Sequence, residues 1–243
     1  MKNTIERFMG AMESELGFFI AVVLFVTILF AIAIISERKM EIKVQKTQKI
    51  TIIGIFSAMA AVLMYLEIPF FFAPDMYKLD FSEVPIMIVS FLLGPVAGVI
   101  AEFLKILIKL IIKPSSTAYV GEFANFVVGC TFVIPASLIY WKRKTRKAAV
   151  VGMSVGTSVM TSVGCFVNGF VLLPAFAYLF GGIPVSSIIE MGTKVNPAIT
   201  DMLTFVVFAV APVNIVKGIL VSIVVFLVYK PVAKAVRGII KTE

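Results

Sequence analysis

Apolar runs of roughly 18 or more residues constrain this chain more than any other feature of its sequence. At a rise of about 1.5 Å per residue, such a run crosses a hydrocarbon core of about 30 Å as an α-helix. Lipid offers no partner to free backbone groups, so the runs must pair their own N–H and C=O groups as helices. The period-2 alternation of a membrane barrel is absent. The sequence therefore predicts an all-α, polytopic membrane helix bundle.

Composition agrees with this class and excludes others. Hydrophobic residues make up 60% of the 243 residues, against about 45–50% in soluble domains. The formal net charge of +8 could suggest a nucleic-acid partner. However, the basic residues cluster in short segments beside the apolar runs, as membrane orientation requires. We therefore predict no nucleic-acid binding.

The apolar pattern predicts seven helices, near 17–35, 49–66, 83–93, 96–112, 119–141, 148–172 and 203–229. The first run is longer than a signal-peptide core and lacks a small-residue cleavage site, so we interpret it as a retained helix. We predict two units: residues 1–48, an extra transmembrane helix with a basic linker, and residues 49–243, a six-helix membrane domain. The connections 67–82 and 173–202 are long, which is typical of functional lids.

Basic residues predict the orientation in the cell membrane. They concentrate after the first helix, between residues 142 and 147, and in the tail from residue 230. With seven crossings, all three groups fall on one side, and that side should be cytoplasmic. The C-terminus would then be cytoplasmic and the N-terminus outside.

Ionisable residues inside a membrane cost roughly 2.5–3.5 kcal/mol each at a helix centre, so their positions indicate function. Glu102, Lys105 and Lys109 lie on one face of the predicted helix 96–112. Glu102 and Lys105 could form a structural pair, or Glu102 could titrate. Lys109 and Lys113 are expected to extend to the membrane surface.

Asn214 and Lys217 lie three residues apart in the last predicted helix, where the only acidic residue, Asp201, is several turns away. This donor-rich pair suits a ligand with carbonyl and ring-nitrogen acceptors. Glu122 and Asn125, also three apart, and Asn168 are expected in the outer half of their helices.

Enzyme chemistry finds little support in the sequence. The chain contains no His, which excludes His-dependent triads and HExxH zinc sites, and it has no GxxxxGK[ST] phosphate loop. Cys130 and Cys165 lie alone in separate apolar runs, without disulfide or metal spacing. We predict a non-enzyme without a metal or cofactor. A stand-alone secondary carrier, with Glu102 or Glu122 as the titrating group, remains the alternative.

Small residues four apart in the predicted helix 49–66 indicate a helix-packing face. Gly54 and Ala58 form one such pair, and Ser57 and Ala61 form another. Such a face serves either a partner helix or packing within the bundle.

Four segments resemble the signatures of riboflavin-specific S-components, the substrate-binding subunits of energy-coupling factor (ECF) transporters. They are YKLDFSEVP at 77–85, GPVAGVIAEFLK at 94–105, SSTAYVGEFANF at 115–126 and NIVKG at 214–218. The similarity covers about residues 48–230. The N-terminal helix is extra, because the commonest S-components have six helices.

The resemblance implies a subunit that captures riboflavin at the outer face and docks onto a transmembrane coupling subunit driven by two cytoplasmic ATPases. Riboflavin is then the transported ligand, and whether FMN also binds stays open. Implied contacts with the flavin ring fall on Asn168, Asn214 and Lys217. The implied pocket lining and cover are Gly121, Glu122, Asn125 and Tyr77, with Phe70, Phe71 and Phe72. The implied docking face carries Gly54 and Ala58.

Overall fold

The computed structural model describes residues 20, 23–38, 40, 44–115, 119–174 and 184–239, and these residues are mostly helical. The helices in chain order are α1 (Val23–Glu37), α2 (Lys46–Tyr65), α3 (Glu83–Leu93), α4 (Pro95–Ile112), α5 (Val120–Arg143), α6 (Arg146–Val167), α7 (Val185–Val195), α8 (Met202–Phe205) and α9 (Ala211–Ile239). Two short antiparallel strands, β1 (Ile68–Pro69) and β2 (Lys78–Leu79), lie between α2 and α3.

Within the described residues, four helical segments are long and apolar enough to cross a membrane: Lys46–Tyr65, Val120–Arg143, Arg146–Leu172 and Met202–Val236. The predicted helical membrane bundle is therefore confirmed. Helix α4 has 18 residues but carries three charged side chains, and α3 has only 11 residues. The number of crossings, the orientation of the termini and the boundary at residue 48 stay predictions.

The short helix α3 forms the centre of the bundle. Ten of its 11 residues are buried, and it contacts α2, α4, α5 and α9. Gly94 ends the helix with a φ of 98°, a backbone conformation that glycine adopts without the clash of a Cβ atom. Pro95 then begins α4 at a position where its missing N–H costs no hydrogen bond. The Gly-Pro pair thus folds α4 back beside α3.

Helices α5 and α6 approach closely because α6 presents glycines to its neighbour. A Cβ atom added to Gly152 would lie 2.6 Å from the carbonyl oxygen of Ala136. One added to Gly156 would lie 2.5 Å from the carbonyl oxygen of Phe132. Small residues four positions apart, such as Gly152 and Gly156, are a usual means by which membrane helices bring their backbones close together.

Wide π-helical turns interrupt the two helices that carry the candidate ligand residues. Helix α6 continues through the turn Asn168–Leu172, and α8 continues through the turn Val206–Val210 into α9. Such turns occur frequently at functional sites.

Helix α1 packs against the body of the bundle. Its Ala33 is buried in an apolar cluster with Val99 of α4 and with Cys130 and Ile134 of α5. At its end, Glu37 accepts hydrogen bonds from the backbone N–H of Val96, at 2.8 Å, and from Lys49 Nζ, at 2.9 Å. The predicted start of this helix, at residues 17–19, lies outside the described residues.

The connection 173–202 is not the plain loop that its length suggested, because it contains the helix α7. Pro184 precedes α7, and Ile188 is buried beside Ile199 and Phe205. This helix was not predicted from the sequence, because the apolar face of so short a helix does not stand out among the surrounding Pro, Gly and Phe. The other connection, 67–82, forms the β1–β2 hairpin and packs on α9 through Phe70, Ala73 and Val213.

Candidate functional site

Tyr77 and Asn168 join the hairpin connection to α6. Tyr77 Oη donates a hydrogen bond of 2.7 Å to Asn168 Oδ1. Asn168, the first residue of its π turn, donates from Nδ2 to the carbonyl oxygen of Gly164 at 2.7 Å. The asparagine is 7% exposed, so its amide is held in a fixed orientation. Asn168, the implied ring contact, and Tyr77, part of the implied cover, therefore touch each other.

Asn214 of α9 also lies beside Gly164. Its Nδ2 donates to the carbonyl oxygen of Val210 at 2.9 Å. A Cβ atom added to Gly164 would lie 3.0 Å from Asn214 Nδ2. The absence of a side chain at Gly164 therefore allows α6 and α9 to bring the two asparagines to one region.

Lys217 is not the unpaired donor that the sequence indicated. Its Nζ donates to Asp80 Oδ2 at 2.8 Å, and the two side chains are 12% and 7% exposed. Asp80 also accepts hydrogen bonds from the backbone N–H of Ser82, at 2.9 Å, and from the Ser82 hydroxyl. The prediction considered only acids close in sequence, whereas this partner comes from the hairpin connection. Burial raises the pKa of Asp80, but the ammonium groups of Lys217 and Lys105, together with the hydrogen bonds from Lys217 and Ser82, outweigh burial and hold this pKa below its usual value.

A second buried group of charges surrounds Lys105. Its Nζ lies 2.5 Å from Glu102 Oε1 and 2.9 Å from Glu83 Oε1. It also donates to Asn125 Oδ1 at 3.1 Å and to Ser82 Oγ at 3.2 Å. The predicted pairing of Glu102 with Lys105 is confirmed. Sequence reasoning missed Glu83, because an acid in the first turn of a helix is common and gives no sign of burial.

The remaining predicted pocket residues fall into two environments. Asn125 belongs to the buried Lys105 network. Glu122, in the first turn of α5 beside Gly121, accepts hydrogen bonds from Lys109 Nζ at 2.5 Å and from Ser115 Oγ at 2.7 Å. The structure therefore places Glu122 in an ion pair at the end of the bundle. Lys109 thus has a carboxylate partner that the sequence did not predict, and its extension to the membrane surface stays a prediction.

Glu67 links the hairpin connection to the helices beside it. It accepts from Lys78 Nζ of β2 at 2.5 Å and from Lys113 Nζ, just after α4, at 2.9 Å. Lys113 thus also has a carboxylate partner that the sequence did not predict. Burial raises the pKa of Glu67, but hydrogen bonds from the two lysines dominate and lower it below its usual value.

The two residues of the implied docking face are both exposed. Gly54 and Ala58 lie on the outer face of α2, whereas Ser57 and Ala61 are buried against the bundle. A Cβ atom added to Gly54 would meet no atom within 4 Å in the described structure. The two predicted small-residue pairs are therefore on different faces, and one of them is open to a partner.

The arrangement suits a flat, polar-edged molecule. The amides of Asn168 and Asn214 lie at Gly164, where α6 and α9 meet, and Lys217 lies one helical turn after Asn214. Apolar rings of the hairpin connection pack on the same part of α9. Phe70 and Phe72 have ring centroids 5.1 Å apart, and Phe70 is buried against Val213. Phe71 is 93% exposed, so it does not cover the site in this conformation. Large apolar faces with a few convergent polar groups are the usual features of a small-molecule site.

Comparison with known proteins identifies the family of this chain. The family described as "ECF transporter, substrate-specific component" matches residues 48–229. The "Riboflavin transporter RibU" of Staphylococcus aureus is 32% identical over 199 residues, which are 82% of this chain and 97% of that protein. The "Riboflavin transporter FmnP" of Bacillus subtilis is 32% identical over 187 residues, covering 76% and 91% of the two chains.

A solved structure shares the fold. It is described as the S component of a bacterial ECF transporter, and it is 34% identical in sequence with a TM-score of 0.62. The similarity covers 78% of this chain and 98% of that chain.

Proposed function

Because the chain belongs to the family of substrate-specific components of ECF transporters, we propose that it captures riboflavin for uptake into the cell. Its relatives are named as transporters rather than enzymes, and it is a multi-pass membrane protein. The flavin would be cargo that is bound and released unchanged.

One observation supports the choice of site: Asn168 of α6 and Asn214 of α9, far apart in sequence, both lie at Gly164. Lys217 lies one helical turn after Asn214. The flavin ring system has two apolar faces and an edge of carbonyl oxygens and ring nitrogens. Amide groups can donate to and accept from such an edge, and an ammonium donates to its carbonyl oxygens. Because the site is buried, these hydrogen bonds discriminate strongly against molecules that lack the matching atoms.

Binding requires a rearrangement, because protein groups already satisfy the polar atoms. Asp80 holds Lys217, and Tyr77 holds Asn168. Both partners belong to the connection 67–82, which packs on α9 through a small apolar cluster. We propose that this connection moves away to admit the ligand and then closes over it.

Delivery is proposed to follow the general family arrangement. The subunit would dock through Gly54 and Ala58 onto a transmembrane coupling subunit, and two cytoplasmic ATPases would drive release. The exposure of both residues supports this assignment, since small residues let a partner helix approach closely. The site would face outward and the C-terminus would be cytoplasmic, as the distribution of basic residues predicts.

The absorbance and fluorescence spectra of the purified protein in detergent test the ligand. We expect a copurified flavin, or quenching of added riboflavin fluorescence that saturates at one flavin per chain. A preparation that neither carries nor quenches flavin would contradict the proposed ligand. Uptake into proteoliposomes that lack coupling subunit and ATPases would instead favour the stand-alone carrier.

A further inference from the structure

The buried charges around Lys105 do not cancel. Three carboxyl groups, those of Asp80, Glu83 and Glu102, share one buried region with two ammonium groups, those of Lys105 and Lys217. Asp80 is 5% exposed, Glu83 2% and Glu102 0%. With every group ionised, the region would carry one surplus negative charge. A buried charge without a counter-charge is strongly unfavourable, and such a group neutralises itself instead.

The contacts identify the carboxyl group that is left over. Lys217 pairs with Asp80 at 2.8 Å, and Lys105 pairs with Glu83 at 2.9 Å. Glu83 Oε1 also lies 4.0 Å from Lys217 Nζ, so it faces both ammonium groups. Glu102 has Lys105 alone, at 2.5 Å, and shares it with Glu83. The Oε2 atoms of both glutamates accept no hydrogen bond from any described residue, so the two differ in that Glu83 faces two ammonium groups and Glu102 faces one.

The other elements that pack around Glu102 supply no compensating charge within the described chain. The buried residues of α2 are all uncharged. Helix α5 contributes the amide of Asn125, the thiol of Cys130 and Gly129, whose missing side chain leaves room for the Glu102 carboxyl. The remaining charges on or beside α4 already have partners: Lys109 with Glu122, Lys113 with Glu67, and Lys49 with Glu37 near its first turn.

We propose that the Glu102 carboxyl group holds a proton from solvent, which makes the region neutral. It then contains two ion pairs, Asp80 with Lys217 and Glu83 with Lys105, and one neutral carboxylic acid. A proton fits better than a metal ion, because the ammonium of Lys105 already lies between Glu83 and Glu102. No three His, Cys, Asp or Glu side chains of the described residues are arranged so that they could hold a metal ion.

Infrared spectroscopy of the protein in lipid nanodiscs tests the proton directly. A protonated carboxylic acid has a carbonyl stretch well separated from carboxylate bands, and the band shifts in D2O. We expect such a band at neutral pH, and we expect Glu102→Gln to lose it while retaining the fold, because glutamine has nearly the shape of the neutral acid. Glu190→Gln, at an exposed acid of α7, is the matched control and should keep the band.

A second variant tests whether the surplus negative charge, rather than the identity of residue 102, causes the protonation. Glu83→Gln removes one negative charge, so Glu102 can ionise beside Lys105 and the band should also disappear. If the band survives in Glu102→Gln or in Glu83→Gln, the proposal is wrong. It is equally overturned if the parent protein shows no band and its melting temperature rises when sodium replaces choline, since the surplus charge then binds a cation. Glu102→Asp, which retains an acid, should restore a carbonyl band that Glu102→Gln lacks.

Discussion

Lys217 Nζ lies 2.8 Å from Asp80 Oδ2, although the two residues are 137 positions apart in the sequence. A lysine that the sequence presents as an unpaired ligand donor is therefore held by a carboxylate of the connection that covers it. Ligand entry must exchange a protein partner for a ligand partner. The free energy of ligand binding then contains the difference between the interaction of Lys217 with the ligand and its interaction with Asp80, rather than the full strength of either one.

The first prediction concerns the proposed ring contacts. Lys217→Ala and Asn214→Ala should each weaken riboflavin binding, since each removes a buried donor to the ring edge. A hydrogen bond that involves a charged group contributes about 1.5–3 kcal/mol, so the lysine variant should bind on the order of 10- to 100-fold more weakly. Fluorescence quenching titrations measure both dissociation constants. Lys234→Ala, at an exposed lysine of the same helix, is the control, and unchanged affinity in both site variants would refute the assignment.

The second prediction concerns the pair formed by Asp80 and Lys217. Asp80→Asn should lower the melting temperature of the ligand-free protein, because it leaves a buried ammonium without its carboxylate. Breaking a buried pair costs about 3–5 kcal/mol. The double variant Asp80→Asn with Lys217→Met removes both charges and should recover part of that loss. Thermal unfolding of the parent, both single variants and the double variant completes a double-mutant cycle. If the stability losses of the two single variants simply add in the double variant, the two residues are not coupled.

The third prediction concerns the proposed docking face. Gly54→Leu should bind riboflavin as tightly as the parent but fail to transport it with the coupling subunit and ATPases. The added side chain would prevent close approach of a partner helix, while the described bundle leaves open space at this position. Binding is measured by quenching, and transport by ATP-dependent uptake into proteoliposomes. Ile55→Leu, at an exposed neighbour, should transport normally, and full transport by Gly54→Leu would exclude this face.

The fourth prediction concerns the close contact of α5 with α6. Gly156→Val should lower the thermal stability strongly, because its new Cβ atom would overlap the carbonyl oxygen of Phe132, which is backbone and cannot move aside cheaply. Overpacking of this kind typically costs about 1–3 kcal/mol. Gly54→Val introduces the same residue into a helix without such a neighbour. Equal melting temperatures for the two variants would argue against the contact.

The fifth prediction concerns Glu67 and pH. Its pKa is lowered in the folded protein, so ionised Glu67 stabilises the fold above the pKa that it has when unfolded. That contribution disappears as pH falls through the folded-state value. The parent should therefore be more stable than Glu67→Gln at pH 7, by at most about 1 kcal/mol because the pair is partly exposed. Thermal unfolding of both proteins between pH 7 and about pH 3 should show the two stabilities converging in acid, whereas a constant difference would contradict the ion-pair explanation.

Local sequence patterns were sufficient to predict the helical architecture. The helix from 83 to 93 was predicted with the bounds that the structure shows, because Pro85 marks its start and Gly94-Pro95 ends it. The pairing of Glu102 with Lys105 was also accessible, since three residues along a helix bring side chains to one face. Helix α7 was missed because its apolar face covers too few turns to stand out among Pro, Gly and Phe.

By itself, the sequence determined that this protein crosses a membrane as helices, because the length of an apolar run and the needs of its backbone are local properties. It also marked Asn168, Asn214 and Lys217 as polar groups in apolar helices, and it carries the motifs of the family. Only the tertiary structure decided which charges meet. Asp80 reaches Lys217, and Glu83 joins Lys105, because a connection folds over α9 and α3 packs in the centre. No local pattern encodes such distances, since they depend on how separate helices pack together.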